Sequence, residues 1–367
     1  MIDLFRPLLA NDVARRLADL FAPDDEGRIF IGQGERVEAF ERAFCGLIGA
    51  VEPPLALCSG TAALDLALKL VGVGPGDEVV STPITCTATN GAIRNAGARI
   101  VWADVDPTTG NIDPADVARK ITHRTKAIMA VNWGGRSCDY DALRRAGREI
   151  PIVEDAAHGP FGAPESGDYT CWSFQAIKHL TTGDGGALLS NCGDMERGRL
   201  LRWYGLDRRS SADFRCAQDI AEIGQKWHMN DIAATIGLAN LPLAEWSVAR
   251  SRLNAEYYHR ALSGLPGIAL PPFDPGCSYW LFTLLADDRD GLAAHLARLG
   301  IATSQAHARN DKHSAFRAVS TGWPLPGVDH FDAHQTNIPC GWWVTEEDRE
   351  RVAGAVTEWA CGRREAA

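Results

Sequence analysis

The sequence predicts an α/β fold: a large domain built on a mostly parallel central sheet flanked by helices, followed by a smaller C-terminal α+β domain. Three observations predict it. Between residues 55 and 153, short apolar runs alternate with stretches of helical period, the pattern of strand–helix–strand units joined by right-handed crossovers. The strand candidates, such as Leu55-Ala56-Leu57-Cys58 and Ile150-Pro151-Ile152-Val153, are near-continuous apolar runs, which fits burial on both faces. Near residue 240 the alternation gives way to long helical segments and then a mixed remainder. The expected division is therefore 1–240 for the large domain and 241–367 for the small one.

Each element has a local reason. Residues 11–20 place Val13, Leu17 and Leu20 on one helical face. A second amphipathic helix starts at Glu35 and turns Val37, Phe40, Phe44 and Leu47 inward. After the strand at 55–58, a Ser59-Gly60-Thr61 turn opens a helix over 62–71, which the glycines and proline of Gly72-Val73-Gly74-Pro75-Gly76 stop. Strands are expected at 78–81, 99–105, 126–131 and 150–153, with a short helical stretch around Ile93 and helices at 113–121 and 140–147 between them. Residues 169–174 and 186–190 read as strands separated only by a loop containing Lys178, a hairpin-like excursion rather than another crossover. Residues 197–230 have mixed polarity and no clear period. Helices are expected at 232–241 and 246–262, a strand at 279–285, a helix at 290–299, and a last helix after Thr345 with an acidic first turn. The tail at 363–367 is expected to fray.

Composition narrows the function. The formal net charge is −10 and no basic stripe is present, so nucleic acid is not expected as a partner. The N-terminus lacks a basic region followed by an apolar stretch, and no run approaches the roughly 20 apolar residues of a membrane span. The expected compartment is the cytoplasm. The 10 cysteines form no C-x-x-C pair and flank no histidine at metal-ligand spacing, so they read as reduced thiols and no metal site is expected.

Three features carry chemistry. Lys178 lies in Ser173-Phe174-Gln175-Ala176-Ile177-Lys178-His179-Leu180-Thr181-Thr182-Gly183-Asp184-Gly185-Gly186. Asp155 ends the apolar run before it, where ligands of open α/β sheets bind. The Gly60-Thr61-Ala62 turn offers backbone N–H groups at a helix start, a cradle for phosphate. A lysine, a strand-end aspartate and such a turn are what a protein supplies to pyridoxal 5'-phosphate: an imine partner, a counter-charge for the pyridine nitrogen, and a phosphate site. His158, three residues on from Asp155, is a candidate to hydrogen-bond the ring's phenolic oxygen or to stack near the ring, and Ser173 can add a hydroxyl to the phosphate. On the substrate side, Tyr204, Arg208 and Arg209 in one polar stretch, and His307, Arg309, Asn310 and His313 in another, are candidate contacts for a substrate phosphate or carboxylate. Arginine suits such bidentate contacts.

These stretches, with Gly72 to Val79, Glu154-Asp155-Ala156-Ala157-His158 and Gly224-Gln225-Lys226-Trp227-His228-Met229-Asn230-Asp231, resemble the DegT/DnrJ/StrS family of PLP-dependent sugar aminotransferases, of the aspartate-aminotransferase-like fold type I. The resemblance spans most of residues 30–240 and is looser beyond. It implies that Lys178 is the catalytic, Schiff-base lysine. It implies that Asp155 faces the pyridine nitrogen, that His158 lies near the ring oxygen, and that Thr61, Ala62 and Ser173 hold phosphate. Asn230 matches an asparagine that reaches the phosphate of the neighbouring subunit, which implies a homodimer with shared sites. Cys86 stands where the family often stacks an aromatic residue on the ring. The implied reaction is amino transfer from an amino acid, with L-glutamate the expected donor, to a keto-sugar, expected to be nucleotide-linked. Relatives that replace the lysine with histidine run dehydration, so Lys178 favours transamination. The rival readings are a sugar dehydratase, a cyclitol aminotransferase, and a non-catalytic scaffold of the same fold.

Overall fold

Seven strands form the central sheet in the order β1-β7-β6-β5-β4-β2-β3: β1 (Leu55–Leu57), β2 (Glu78–Ser81), β3 (Arg99–Trp102), β4 (Thr125–Val131), β5 (Ile152–Asp155), β6 (Tyr169–Ser173) and β7 (Gly186–Ser190). The computed structural model describes residues 1–159, 161, 167–209, 217–319 and 323–362; Cys216 and the tail at 363–367 lie outside them. Neighbouring strands from β6 to β3 are parallel, and β7 is antiparallel to both β6 and β1. One strand alone is therefore reversed. Because β6 and β7 form a hairpin, the loop joining them lies at the sheet edge where the other strands end.

The helices of this part are α1 (Val13–Phe21), α2 (Glu35–Ile48), α3 (Gly60–Val71), α4 (Thr87–Asn95), α5 (Pro114–Lys120), α6 (Tyr140–Gly147), α7 (Met195–Leu201) and α8 (Asp231–Asn240). They cover both faces of the sheet, and adjacent residues show it. Val79 packs with Leu64, Leu68 and Ile100 on one face, while Val80 packs with Val101, Val117 and Leu143 on the other. This alternation is what a strand buried on both sides requires. Near the reversed strand a third cluster joins Phe40 and Phe44 of α2 to Trp172, Phe174 and Leu189. The helix limits follow the capping chemistry. Ser59 accepts the Ala62 N–H at the start of α3, and Gly72, in the left-handed conformation at φ 80°, ends it.

A second sheet, β10-β9-β8, is antiparallel throughout. It comprises β8 (Ile268–Ala269), β9 (Phe282–Ala286) and β10 (Gln335–Ile338), and goes with α9 (Ala244–Leu262), α10 (Arg289–Arg298), α11 (Pro326–His334) and α12 (Glu346–Gly362). Its own core includes Tyr258, Leu284, Leu292, Leu296 and Val356. The N-terminal residues join this unit: Ile2 bridges to Ile301, and the Trp343 indole donates to the Asp3 carbonyl at 2.8 Å.

Two expected strands need correction, and one segment was not anticipated. The third strand stops at Trp102 rather than 105, because Val105 turns to pair with Ile112. The strand expected at 279–285 begins at Phe282, since Tyr279 takes a positive φ of 51° that a strand does not admit. The 326–338 segment, unread from the sequence, contains α11 and β10. Its strand, Gln335-Thr336-Asn337-Ile338, is polar yet buried, and it is satisfied internally: Asn337 donates to the Ser304 carbonyl and accepts from Thr283, and Gln335 donates to the Gln305 carbonyl. Among the described residues one helical run, Asp231–Leu262, is long and apolar enough to cross a membrane by length and composition. Its α8 part packs on α1 and α2, and its α9 part on α12.

Candidate active site

The carboxyl ends of β1, β2, β5 and β6 open into one cavity of about 370 Å³, within the range of small-molecule sites. Strand direction explains why the sequence candidates meet there. The turn after β1 brings Gly60 and Thr61, the loop after β2 brings Thr85 and Cys86, and the end of β5 brings Asp155 and His158. The β6–β7 loop brings Ser173 and Lys178. Cys171, Gln175, Ile177, Asp184, Trp280 and His307 complete much of the wall.

Lys178 is held by the folding of its own loop. Its N–H donates to the Gln175 carbonyl at 2.9 Å, the Thr182 N–H to the Phe174 carbonyl at 3.0 Å, and the Asn240 side chain to the Thr181 carbonyl at 2.8 Å. The ammonium nitrogen sits 3.5 Å from the centroid of the Trp280 ring. Burial pushes this amine down to about 8, against the pull of the Asp155 and Cys86 charges.

Asp155 is buried and accepts two hydrogen bonds, from the Thr89 hydroxyl at 2.7 Å and from the Ala157 N–H at 3.0 Å. Thr89 is in turn linked to the Thr85 hydroxyl at 2.8 Å. Burial raises the carboxyl above its ordinary range, while the two hydrogen bonds and Lys178 oppose the rise.

His158 is buried with its Nδ1 accepting from the Gly134 N–H at 3.2 Å, which leaves Nε2 as the protonated nitrogen of the neutral ring. It stacks on Trp280 with centroids 4.1 Å apart and lies parallel to His307 at 5.7 Å. Burial drives the His158 imidazole well below its usual range, and the Lys178 charge adds to the effect; the same causes bring His307 down to about 4. Both rings are neutral at physiological pH. His307 Nε2 is buried and has no hydrogen-bond partner among the described residues.

At the start of α3 the Ser59 hydroxyl takes the Ala62 N–H at 3.0 Å. The Gly60 and Thr61 N–H groups sit in the first helical turn, where no intrahelical acceptor exists, and both residues line the cavity. A Cβ on Gly60 would lie 2.8 Å from Ser173 Cβ, so glycine is what allows the helix start and β6 to meet.

Eight candidates thus share one cavity: Gly60, Thr61, Cys86, Asp155, His158, Ser173, Lys178 and His307. The others lie elsewhere. Ala62 is buried beneath the turn, with its N–H already taken by Ser59. Asn230 is an exposed N-cap whose Oδ1 accepts the Ala233 N–H at 2.9 Å. Tyr204 is exposed at φ 58°. The Arg208 guanidinium covers the Trp203 ring at 4.4 Å, and Arg208 and Arg209 border a separate hollow of about 120 Å³ with Arg199 and Arg202.

In the second polar stretch only His307 reaches the cavity. Arg309 is buried and engaged by Asp311 at 2.7 Å and by Asp329. Asn310 is fully buried and pins the loop after β2: it donates to the Thr85 carbonyl at 2.8 Å and accepts from Asn90 at 2.9 Å. His313 is exposed and outside the cavity wall. Arg309 and Asn310 are therefore corrected from substrate contacts to internal braces, because a polar stretch that is buried must spend its groups on itself.

Sequence reasoning missed Trp280 and Thr89. Thr85 and Thr89, four residues apart around a helix start, were a weak signal for a hydroxyl pair. Trp280 had none, being remote in sequence from every motif.

The model of the DegT/DnrJ/EryC1/StrS aminotransferase family matches residues 19–357. The chain is 35% identical over 340 residues, 87% of each chain, to dTDP-4-dehydro-2,3,6-trideoxy-D-glucose 4-aminotransferase of Saccharopolyspora spinosa. It superposes on AtS13 from Actinomadura melliaura with a TM-score of 0.90 at 39% identity, covering 98% of both chains. On the sugar aminotransferase CalS13 from Micromonospora echinospora the TM-score is 0.89 at 35% identity, covering 98% of this chain and 100% of that one.

Proposed function

The chain belongs to the DegT/DnrJ/EryC1/StrS aminotransferase family, and on that premise we propose that it uses pyridoxal 5'-phosphate to move an amino group from L-glutamate to a nucleotide-linked keto-sugar. The observation that carries this reading is the convergence of Lys178, Asp155 and the free first turn of α3 on one cavity.

The residues present fit the cofactor. Asp155 is a buried carboxyl that accepts from the Thr89 hydroxyl and the Ala157 N–H, and a cationic ring nitrogen is the partner that would keep it ionised. The Gly60 and Thr61 N–H groups and the Ser173 hydroxyl suit a phosphate. His158, with Nδ1 occupied, has Nε2–H to offer the ring oxygen. Cys86 stands on the wall where a smaller, softer group than an aromatic ring would meet the cofactor's face.

When bound, the cofactor supplies an electron sink for the bond broken at the amino-bearing carbon. The chain's own groups do the rest. Lys178 anchors the cofactor and, when free, moves the proton through Nζ. An amine brought down to about 8 is partly neutral near pH 7, and the neutral form is the one that accepts a proton. His158 and His307 stay neutral beside it and so add no competing cation. The buried walls limit water around that proton.

The sugar substrate is supported by the names of the relatives in Saccharopolyspora spinosa and Micromonospora echinospora. A homodimer is supported by the surface beside Asn230. Asp231 binds the Gly32 carbonyl and the Gly34 N–H, which sets the exposed run Ile29, Phe30 and Ile31 next to it. A second copy covering that run would let Asn230 reach the partner's cavity. We assign the enzyme to the cytoplasm, in keeping with the nine described cysteines being free.

The test is a visible absorption spectrum of the purified protein with pyridoxal 5'-phosphate, before and after glutamate, beside Lys178→Ala. We expect a yellow wild type that glutamate bleaches and a mutant that never colours that way. Adding a nucleotide-linked keto-sugar should restore the colour. A wild type that stays colourless would overturn the cofactor assignment; colour restored by cyclitol ketones alone would overturn the substrate.

A further inference from the structure

We infer that Trp280 is the positioning residue for Lys178: its indole face holds the ammonium whenever the lysine is not joined to the cofactor, and its N–H fixes the peptide immediately before it. The inference rests on Lys178 being the cofactor-bearing lysine.

Four contacts converge on this side chain. Lys178 Nζ lies 3.5 Å from the ring centroid, close enough for a strong cation–π contact. The indole Nε1–H donates to the Ile177 carbonyl at 2.9 Å, so one residue controls both the end of the lysine and the start of its backbone. His158 stacks on Trp280 at 4.1 Å and Phe5 at 5.0 Å, which leaves the indole little freedom to turn. The ring is 8% exposed and lines the cavity.

The site needs such a platform. A lysine that shuttles a proton must be free yet not wander, and its long, flexible chain has rotamer freedom to lose when it is held in one place. Its surroundings offer little to hold an ammonium. Asp155 at the end of β5 is the nearby carboxylate, and it is engaged by Thr89 and Ala157. Cys86, His158, His179 and His307 are the other titratable groups that interact with the Lys178 charge, and the three histidines are disfavoured as cations by it. Of the groups around Nζ, the indole face is one that attracts the ammonium without carrying a charge that the ring nitrogen would also claim.

The experiment uses the cofactor-free full chain. The pH dependence of Lys178 modification by reductive methylation is followed by peptide mass spectrometry in wild type, Trp280→Leu, Trp280→Phe, and a series carrying increasingly fluorinated tryptophan at position 280. Fluorination weakens the negative ring face and keeps the shape, so it remains informative if the leucine variant does not fold. The expected result is a stepwise fall in the pH midpoint of Lys178 labelling along the fluorinated series. For leucine the fall should be about one pH unit, a tenfold change in the proton equilibrium, and for phenylalanine smaller. Midpoints that coincide across the fluorinated series would overturn the inference. Midpoints that shift in a protein that never colours with pyridoxal 5'-phosphate would uphold the hold of Trp280 on Lys178 and sink the cofactor reading instead.

Discussion

Asp155 has its negative charge in a place where charge is expensive, and two donors share the work of keeping it there. The Thr89 hydroxyl contact at 2.7 Å is the shorter, and Thr85 on the far side of Thr89 fixes the direction of that hydroxyl. A hydrogen bond to a charged group is worth about 1.5–3 kcal/mol, or roughly ten- to hundredfold in an equilibrium. Thr89→Val keeps the volume and deletes the donor. We expect the dissociation constant for pyridoxal 5'-phosphate, measured by fluorescence titration, to rise by about that factor, and Thr89→Ser to recover most of the loss. Equal affinity in the valine variant would mean that Ala157 alone suffices.

The reversed strand β7 is the element on which the site depends. Gly186 begins it, facing Leu57 across β1 and Ser173 across β6. A Cβ at Gly186 would lie 2.4 Å from the Ser59 carbonyl oxygen and 2.6 Å from the Gly60 nitrogen. Both are backbone atoms that cannot step aside without moving the start of α3. Overpacking of this kind costs about 1–3 kcal/mol, occasionally more. Gly186→Ala is therefore expected to lower the thermal midpoint and weaken cofactor binding together, because the same shift displaces the first turn of α3 and the strand that follows the lysine loop. A calorimetric midpoint unchanged from wild type would show that the turn has slack.

For the molecule as a whole, buried histidines set the response to acid. Burial lowers His179 to about 3 and His307 to about 4, whereas both titrate near 6.5 when unfolded. The unfolded chain then binds more protons between about pH 6.5 and 4. Stability is at full value above pH 6.5 and falls as the pH drops through that window, by about 1.4 kcal/mol per pH unit for each such histidine. Asp155 and Glu154, raised by burial, give a slope of the opposite sign, so the effect is isolated by difference. His307→Gln should flatten the pH dependence of the urea unfolding midpoint below pH 6.5 relative to wild type and leave the slope above it unchanged. Parallel curves across the window would show that His307 protonates freely in the folded state.

The local chemistry of this chain was legible from its residues. The Ser59-Gly60-Thr61 turn as a helix opening, Gly72 as a stop, the apolar strands and the Lys178 loop all declare themselves within a few positions, because turn chemistry, periodicity and strand burial are short-range effects. So did Asp155, at a strand end where such sheets gather their ligands, along with the Gly60-Thr61 helix start and Lys178, whereas Cys86 was placed by the family resemblance alone and His307 was read only as a substrate candidate. Arg309 and Asn310 were misread, because a polar side chain looks the same in sequence whether it faces solvent or braces a buried loop. Trp280 and the polar strand β10 went unread for the same reason: their roles are defined by partners far away along the chain.

By itself, then, the sequence determined the alternating α/β pattern, the lysine, the aspartate and the helix start, each through contacts with near neighbours or through strand order. Only the tertiary structure decided that β7 lies between β6 and β1, that Asn310 holds the loop after β2, and that an indole lies 3.5 Å from the lysine nitrogen. Those depend on which distant segments pack together, and packing selects shape and hydrogen-bond complementarity that no short stretch of sequence displays.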